Sequence, residues 1–238
     1  IGGIVMDENN LVTSFEKFLD TDISQIAKDA VEAGKDLCME DEVLNNIPFI
    51  GAAFKMYKIG NKIHDSHCLR KLYSFILAFN SGNCPKDVKD KRYKKFSENE
   101  VFRKQELEYL LILIDRYIGL EKPQMLAKIY LAYLDDKINW VELTQYAEVV
   151  DRFLPGDKEF LLKHKECYHK VSIPIPDAFL RLVALGIYEE YIPDISVPTT
   201  LGTILIPERK DKTFKTTDFG VKLQDILGNE DTSMYIKS

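Results

Sequence analysis

Between Val101 and Phe153 the apolar residues recur at three- and four-residue steps, and this spacing constrains the fold more than any other feature of the chain. Such steps place side chains on one face of an α-helix, whereas a half-buried strand alternates at every second residue. Gly119 and the pair Asp135 and Asp136 interrupt the pattern, which predicts three helices joined by tight turns. The predicted core-facing residues are Leu107, Leu110, Leu111, Ile114, Ile118, Met125, Leu126, Ile129, Tyr130, Ala132, Tyr133, Leu143, Tyr146, Ala147 and Val150. A mainly α-helical protein is therefore expected.

Two loops rich in Gly, Pro and Asn suggest how the 238 residues are divided. The first is Asn80–Pro85 and the second contains Pro155 and Gly156. We predict an N-terminal helical unit over residues 1–85, a middle helical unit over 86–156 and a third unit over 157–238. A chain of this length buries enough surface to fold without a disulfide or a structural metal.

Composition and charge narrow the class of function. The formal net charge is −6 and the pI is about 5.4, whereas a dedicated nucleic-acid binder is more often basic. Four widely spaced cysteines without a signal peptide favour reduced thiols in the cytoplasm, although a leader could precede Ile1. No nucleotide-binding loop, dinucleotide fingerprint, nucleophile elbow or zinc-protease motif is present. The sequence therefore nominates no catalytic residue and no cofactor.

The last eighty residues mix helical and strand patterns. A helix is predicted over Lys158–His169, and a second one from Asp177 to a stop at Gly186. Two β-like runs follow, Leu201–Pro207 and Thr213–Thr217, joined by a charged turn and predicted to form a small β-hairpin. A short closing helix completes the segment. The fold class expected for the whole chain is mainly α (α+β).

The order of these elements resembles the back half of a winged-helix domain, over about residues 158–228. In that family a helix ends in a Leu-Gly-aliphatic step, here Leu185–Ile187. A wing hairpin then returns into a Thr-Asp-aromatic-Gly phrase that starts the closing helix, here Thr217–Gly220. The Pro-rich link Ile192–Pro198 departs from the family pattern. The resemblance implies a winged-helix fold, and in that family the module binds either DNA or protein.

The residues on the predicted recognition helix favour protein binding. Reading DNA bases needs basic or amide side chains on that helix, and it offers Arg181 among aliphatic residues, followed by Glu189 and Glu190. A non-enzymatic adaptor or regulator that binds a protein partner is therefore expected. The alternative is a nucleic-acid-binding regulator that uses two basic groups. Its candidate contacts are Arg209, Lys210, Lys212 and Lys215 on the wing and Lys91, Arg92, Lys94 and Lys95 in the run Lys86–Lys95.

Two further resemblances bear on context. The helical hairpin around Asp135 resembles those of the tellurite-resistance TerB-like family. In its general make-up the chain resembles small bacterial proteins of mobile elements and phage defence, which would place a partner-binding role in that setting.

The segment Ile47–Ile63 allows two interpretations. Its first eight residues are apolar on all sides, far fewer than the roughly twenty needed to span a bilayer. A buried helical hairpin is the simpler interpretation. The other is a membrane-surface element, which would make the protein a membrane-acting effector.

Histidines and cysteines lie close together at two places. His64 and Cys68 are one helical turn apart, and His164 and Cys167 are three residues apart. If the two segments meet, these four side chains could bind a tetrahedral zinc ion. The alternative is that they are surface and core residues with no shared role.

Overall fold

The structure is a computed structural model that describes residues 12, 13, 15, 16, 19, 62–81, 91, 94, 99–165, 168–192 and 211–228. Its helices are α1 (Lys62–Ser81), α2 (Glu100–Arg116), α3 (Glu121–Leu134), α4 (Trp140–Asp151), α5 (Asp157–Lys163), α6 (Asp177–Ala184) and α7 (Asp218–Gly228). Its strands are β1 (Tyr168–Ser172), β2 (Tyr188–Glu190) and β3 (Asp211–Thr216). The mainly helical class with a small β component is confirmed.

The chain divides into two compact units, and among the described residues the first ends at Asp151 and the second begins at Arg152. The boundary predicted at residues 85 and 86 lies outside the described residues. The division into three units therefore stays a prediction.

The first unit is built around the contact between α1 and α3. Phe75 stacks on Phe79 at 6.1 Å between ring centroids, and Phe79 contacts Tyr130 of α3 at 5.9 Å. Phe15 joins the same row, 5.9 Å from Phe75. The core of this unit is thus aromatic. Helix α2 packs on α1, and α4 packs on α3. The three helices predicted over Val101–Phe153 are present.

The end of α2 differs from the prediction. Ile118 was expected to face the core, but 83% of it is exposed. The helix ends at Arg116, and Tyr117 leaves it in an extended conformation. Tyr117 is buried instead, and its hydroxyl donates to the Ala147 carbonyl at 3.1 Å. The predicted stop at Gly119 is wrong, since the chain has already left the helix two residues earlier.

Polar side chains of α1 bond to carbonyl groups at the end of α2 and in the residues that follow it. His67 bonds the Ile118 carbonyl at 2.7 Å, and Ser74 donates to the Leu120 carbonyl at 2.8 Å. Buried Lys71 lies between them and donates to the Asp115 carbonyl. The contacts of Lys71 and Ser74 are partly buried, so they satisfy carbonyl groups that have lost part of their access to water.

Helix α4 begins with a reciprocal cap. The Asn139 side chain accepts from the Glu142 N–H at 3.0 Å, and the Glu142 carboxylate accepts from the Asn139 N–H at 2.9 Å. This capping box satisfies two amides that have no partner in the helix. The turn before it is tight, because Asp136 adopts a left-handed conformation with φ 58°.

Replacing Asn139 with alanine is expected to lower the free energy of unfolding of the first unit by about 1 kcal/mol, the usual cost of losing an N-cap side chain. Denaturant unfolding followed by the fluorescence of Trp140 measures this, because Trp140 is the single tryptophan. The control is Gln145→Ala on the exposed side of the same helix, which should leave the midpoint unchanged. Equal midpoints for the two variants would show that the cap contributes nothing.

The second unit contains a three-stranded antiparallel sheet in the order β1-β3-β2. In its register His169 lies opposite Phe214, and Tyr188 lies opposite Thr216. The predicted run Thr213–Thr217 is a strand as far as Thr216, and β3 begins two residues earlier, at Asp211, within the predicted turn. Its described partners are β1 and β2, whereas Leu201–Pro207 lies outside the described residues.

The predicted helix Lys158–His169 is wrong in its second half. Helix α5 ends at Lys163, and the chain re-forms as strand β1 from Tyr168. Burial along β1 alternates, since His169 is buried while Tyr168 and Lys170 are exposed. This two-residue period suits a strand with one face on the core.

Candidate functional site

The two phrases that carry the winged-helix resemblance contact each other in the second unit. Helix α6 stops at Gly186, which adopts φ +76°, a conformation open to glycine at little cost. The Thr217 N–H donates to the Ile187 carbonyl at 3.0 Å, and the Thr217 hydroxyl donates to the Gly186 carbonyl at 2.7 Å. The same hydroxyl accepts from the Gly220 N–H at 3.0 Å and so caps α7. The end of α6 thus fixes the start of α7.

Gly220 lies against this junction without room for a side chain. A Cβ at this position would overlap the Ile187 carbonyl oxygen and lie 3.1 Å from Cγ2 of both Ile187 and Thr216. The helix can approach the chain after α6 only because residue 220 has no side chain.

An aromatic cluster fills the space between α6 and the sheet. Phe179 stacks on Tyr188 at 4.6 Å between ring centroids and lies 4.8 Å from Phe214. The buried His169 ring is 5.8 Å from Phe179, and its Nε2 is 3.1 Å from the Thr216 hydroxyl. Offset and edge contacts of this kind add to the stabilisation from burial, so α6 is held firmly.

The buried Tyr188 hydroxyl makes the unit sensitive to alkali. Burial raises the pKa of Tyr188 from an ordinary value of 10.0 to about 12. A folded-state pKa above the unfolded value means that stability present below pH 10.0 is lost as the pH rises through about 12. Tyr188→Phe removes this contribution, so its melting temperature should fall less than that of the wild type between about pH 9 and about pH 11. Thermal melts followed by circular dichroism measure the difference, and equal falls would contradict it.

Arg181, the one basic residue predicted for base reading, is held by a carboxylate. Its Nε donates to Oδ2 of Asp157 at 3.1 Å, and its Nη2 donates to Oδ1 at 2.6 Å. Asp157 is buried and also accepts from the Leu154 N–H at 2.8 Å. A two-pronged pair of this geometry fixes both side chains. Arg181 therefore orders α6 against the start of α5 and is not free to reach a ligand.

Three of the basic residues predicted for the nucleic-acid alternative lie close to carboxylates. Nζ of Lys212 lies 3.0 Å from Oε2 of Glu190, and Nζ of Lys215 lies 4.0 Å from Oε1 of Glu189. In the first unit, Lys91 bonds Asp135 at 3.2 Å. Lys94 is exposed and helical, whereas Arg92, Lys95, Arg209 and Lys210 lie outside the described residues. Each of the two described wing lysines, Lys212 and Lys215, therefore lies beside a glutamate carboxylate.

Of the four predicted zinc ligands, the structure describes the side chains of Cys68 and His164. Cys68 is buried in the first unit, and His164 belongs to the second, where Nδ1 bonds the Phe160 carbonyl at 2.8 Å. The side chain of His64 and all of Cys167 lie outside the described part. Within that part no group of three or more His, Cys, Asp or Glu could hold a metal ion. The zinc site stays a prediction.

The apolar segment Ile47–Ile63 falls outside the described residues except for its last two, which begin α1. In the stretches of chain that the structure describes, no helix combines the length and apolarity needed to cross a bilayer. Both interpretations of this segment stay predictions.

One side of α6 presents apolar groups to solvent. Phe179 and Leu182 are buried, whereas Leu180 is 47% exposed and Ala184 lies one turn further on the same exposed side. Leu154, 53% exposed, lies close to this helix because its N–H shares Asp157 with Arg181. We call Leu154, Leu180 and Ala184 the α6 surface. The sequence indicated that α6 is apolar, but the spacing of its apolar residues did not show that Leu180 faces solvent.

A groove of about 480 Å³ lies beside β1 in the same unit. Its apolar walls come from Phe160, Val171, Pro174, Pro176 and Phe179, and its polar lining from His164, His169, Lys170 and Ser172. The volume is within the range of small-molecule sites. Sequence reasoning missed this groove, because its walls come from three elements that only the fold brings together.

Comparisons with protein-family models, with curated proteins and with solved structures gave no match for this chain.

Proposed function

We propose that the protein is a non-enzymatic adaptor or regulatory protein that binds a protein partner through its second unit. The observation that carries the proposal is that the cation of α6 is paired within the unit, whereas apolar side chains on and beside α6 are exposed. Arg181 is occupied by Asp157, whereas Leu180 and Leu154 are exposed to solvent. A surface of this kind gains free energy by burying apolar area against another protein.

The α6 surface is also preorganised. The Arg181–Asp157 pair and the stacking of Phe179 on Tyr188 fix the helix on its inner side. Binding through a fixed helix loses little conformational entropy, which favours affinity for a given buried area. The contact between Leu185–Ile187 and Thr217–Gly220 supports the winged-helix resemblance, in which α6 takes the place of the recognition helix.

The nucleic-acid alternative has weaker support. Phosphate contacts need cationic side chains that replace the counterions condensed on the nucleic acid, and the described wing lysines already lie beside Glu189 and Glu190. Any binding that relied on Lys212 and Lys215 would first have to separate these pairs.

The proposal is tested by capture from the native host with the full chain and two matched variants. Leu180→Asp places a charge on the α6 surface, whereas Ile112→Asp places one on an exposed position of α2 in the first unit. We expect a protein partner to be enriched by the wild type and by Ile112→Asp and to be lost with Leu180→Asp. Burying an unpaired carboxylate in an interface is costly, so the loss should be nearly complete.

Melting temperatures equal to the wild type establish that both variants are folded. A partner retained by Leu180→Asp would show that the α6 surface is not the binding site. Capture of no protein by any of the three forms would contradict the proposed function itself.

A further inference from the structure

Strand β1 is at one edge of the sheet, and the hydrogen-bond pattern shows which of its backbone groups face outward. On the other side of β3, the Tyr191 N–H donates to the Thr213 carbonyl. In an antiparallel sheet, successive residues of a central strand bond alternately to the strand on one side and to the strand on the other. Thr213 bonds toward the β2 side, so the next residue, Phe214, bonds toward β1, where its partner is His169. It follows that the N–H and C=O groups of Tyr168, Lys170 and Ser172 point away from β3. Among the described residues no strand pairs with this edge.

The groove beside β1 lies along this edge. Four consecutive strand residues, 169–172, line it together with Phe160 of α5 and Phe179 of α6. Outward-facing backbone groups therefore adjoin a cleft that has both apolar walls and polar lining residues. Main-chain pairing combined with a pocket for alternate side chains is the arrangement by which sheets bind extended peptides.

The two faces of β1 differ in chemistry. His169 and Val171 are on the inner face with the aromatic cluster, whereas Tyr168 and Lys170 are exposed on the outer face. Lys170 has no ion-pair partner among the described residues, unlike Lys212 and Lys215. An added strand would place alternate residues on these two faces, since directly opposite residues share a face.

We propose that the edge of β1 binds an extended peptide segment as a fourth strand. The segment carries apolar side chains at alternate positions, directed into the groove that Phe160 and Phe179 help to line. It carries an acidic residue between them, opposite Lys170. The proposal rests on the proposed protein-binding function and specifies the form of the partner segment.

A displayed library of random linear peptides, selected on the full-length protein, provides the probe. We expect the enriched peptides to contain an acidic residue between two apolar ones. The most enriched peptide is then synthesised with a fluorophore, and its affinity is measured by anisotropy for the wild type and three variants. Lys170→Pro removes the outward N–H while leaving the bonds to β3, and should weaken binding about tenfold, the effect of losing one hydrogen bond together with the lysine charge.

The other two variants separate the contributions. Lys170→Ala keeps the backbone donor, so it should weaken binding by about threefold and only at low salt. Leu180→Asp should leave peptide affinity unchanged, which distinguishes this site from the α6 surface. The same peptide N-methylated at successive amides should lose binding at alternate positions only. This readout needs no altered protein if Lys170→Pro fails to fold.

Lack of any enriched peptide would overturn the proposal. Equal affinity for the wild type and a folded Lys170→Pro would do the same, as would N-methylation without an alternating effect. Peptide binding that fails while Leu180→Asp still abolishes partner capture would remove only this inference and leave the proposed function standing.

Discussion

Replacing Gly220 with alanine is expected to destabilise the second unit by about 3 kcal/mol, although alanine normally favours a helix over glycine. The added Cβ would overlap the Ile187 carbonyl oxygen, which is backbone and cannot rotate away. Either α7 or the chain after α6 must then shift, and the Thr217 cap would be lost with it. Hydrogen exchange of peptides from α7 measures the effect, and their amides should exchange far faster than in the wild type.

The control for this prediction is Gly119→Ala. No atom lies within 4 Å of a Cβ at that position, and its φ is not positive, so stability should stay the same or rise slightly. Unchanged exchange in α7 of Gly220→Ala would mean that the junction between α6 and α7 is not as close as described.

Truncating Phe179 to alanine is expected to cost about 3–5 kcal/mol, the range for removing a large buried aromatic side chain. Phe179 contacts Tyr188, Phe214, His169 and Phe160, so the cavity would open at the centre of the second unit. Its neighbour Leu180 provides a matched control, because Leu180→Ala removes exposed atoms and should change stability by no more than about 0.5 kcal/mol.

Denaturant unfolding followed by near-ultraviolet circular dichroism of the tyrosines measures both variants. A loss of the same size for Phe179→Ala and Leu180→Ala would contradict the orientation of α6. It would also remove the basis for calling Leu180 part of a binding surface.

The helices of the first unit could be predicted because their signal is local. Leu126, Ile129 and Tyr130 repeat at helical steps within a single element, so the spacing alone indicates the buried face. Gly186 could be predicted as a helix stop for the same reason. Ile118 could not be placed, since the burial of Tyr117 in its stead depends on the Ala147 carbonyl, which lies thirty residues further along the chain.

Strand β1 was missed because it is short and its partner is distant. Its five residues follow α5 closely, and only pairing with Asp211–Thr216 makes the two-residue period of His169 and Val171 meaningful. The candidate site could be predicted only in part, because the partner of its cation is also distant in the sequence. The sequence shows Arg181 as a cation, but its role follows from Asp157, which is 24 positions away and buried.

The most direct test of protein binding is to capture the wild-type protein from its native host with nucleic acid retained, and then to treat the complex with nuclease and with high salt. Contacts with phosphate weaken steeply with salt, whereas an interface centred on Leu180 and Leu154 depends on apolar burial. The proposal predicts a protein partner that survives both treatments. Nucleic acid in the eluate, with loss of every protein on nuclease or salt treatment, would contradict it.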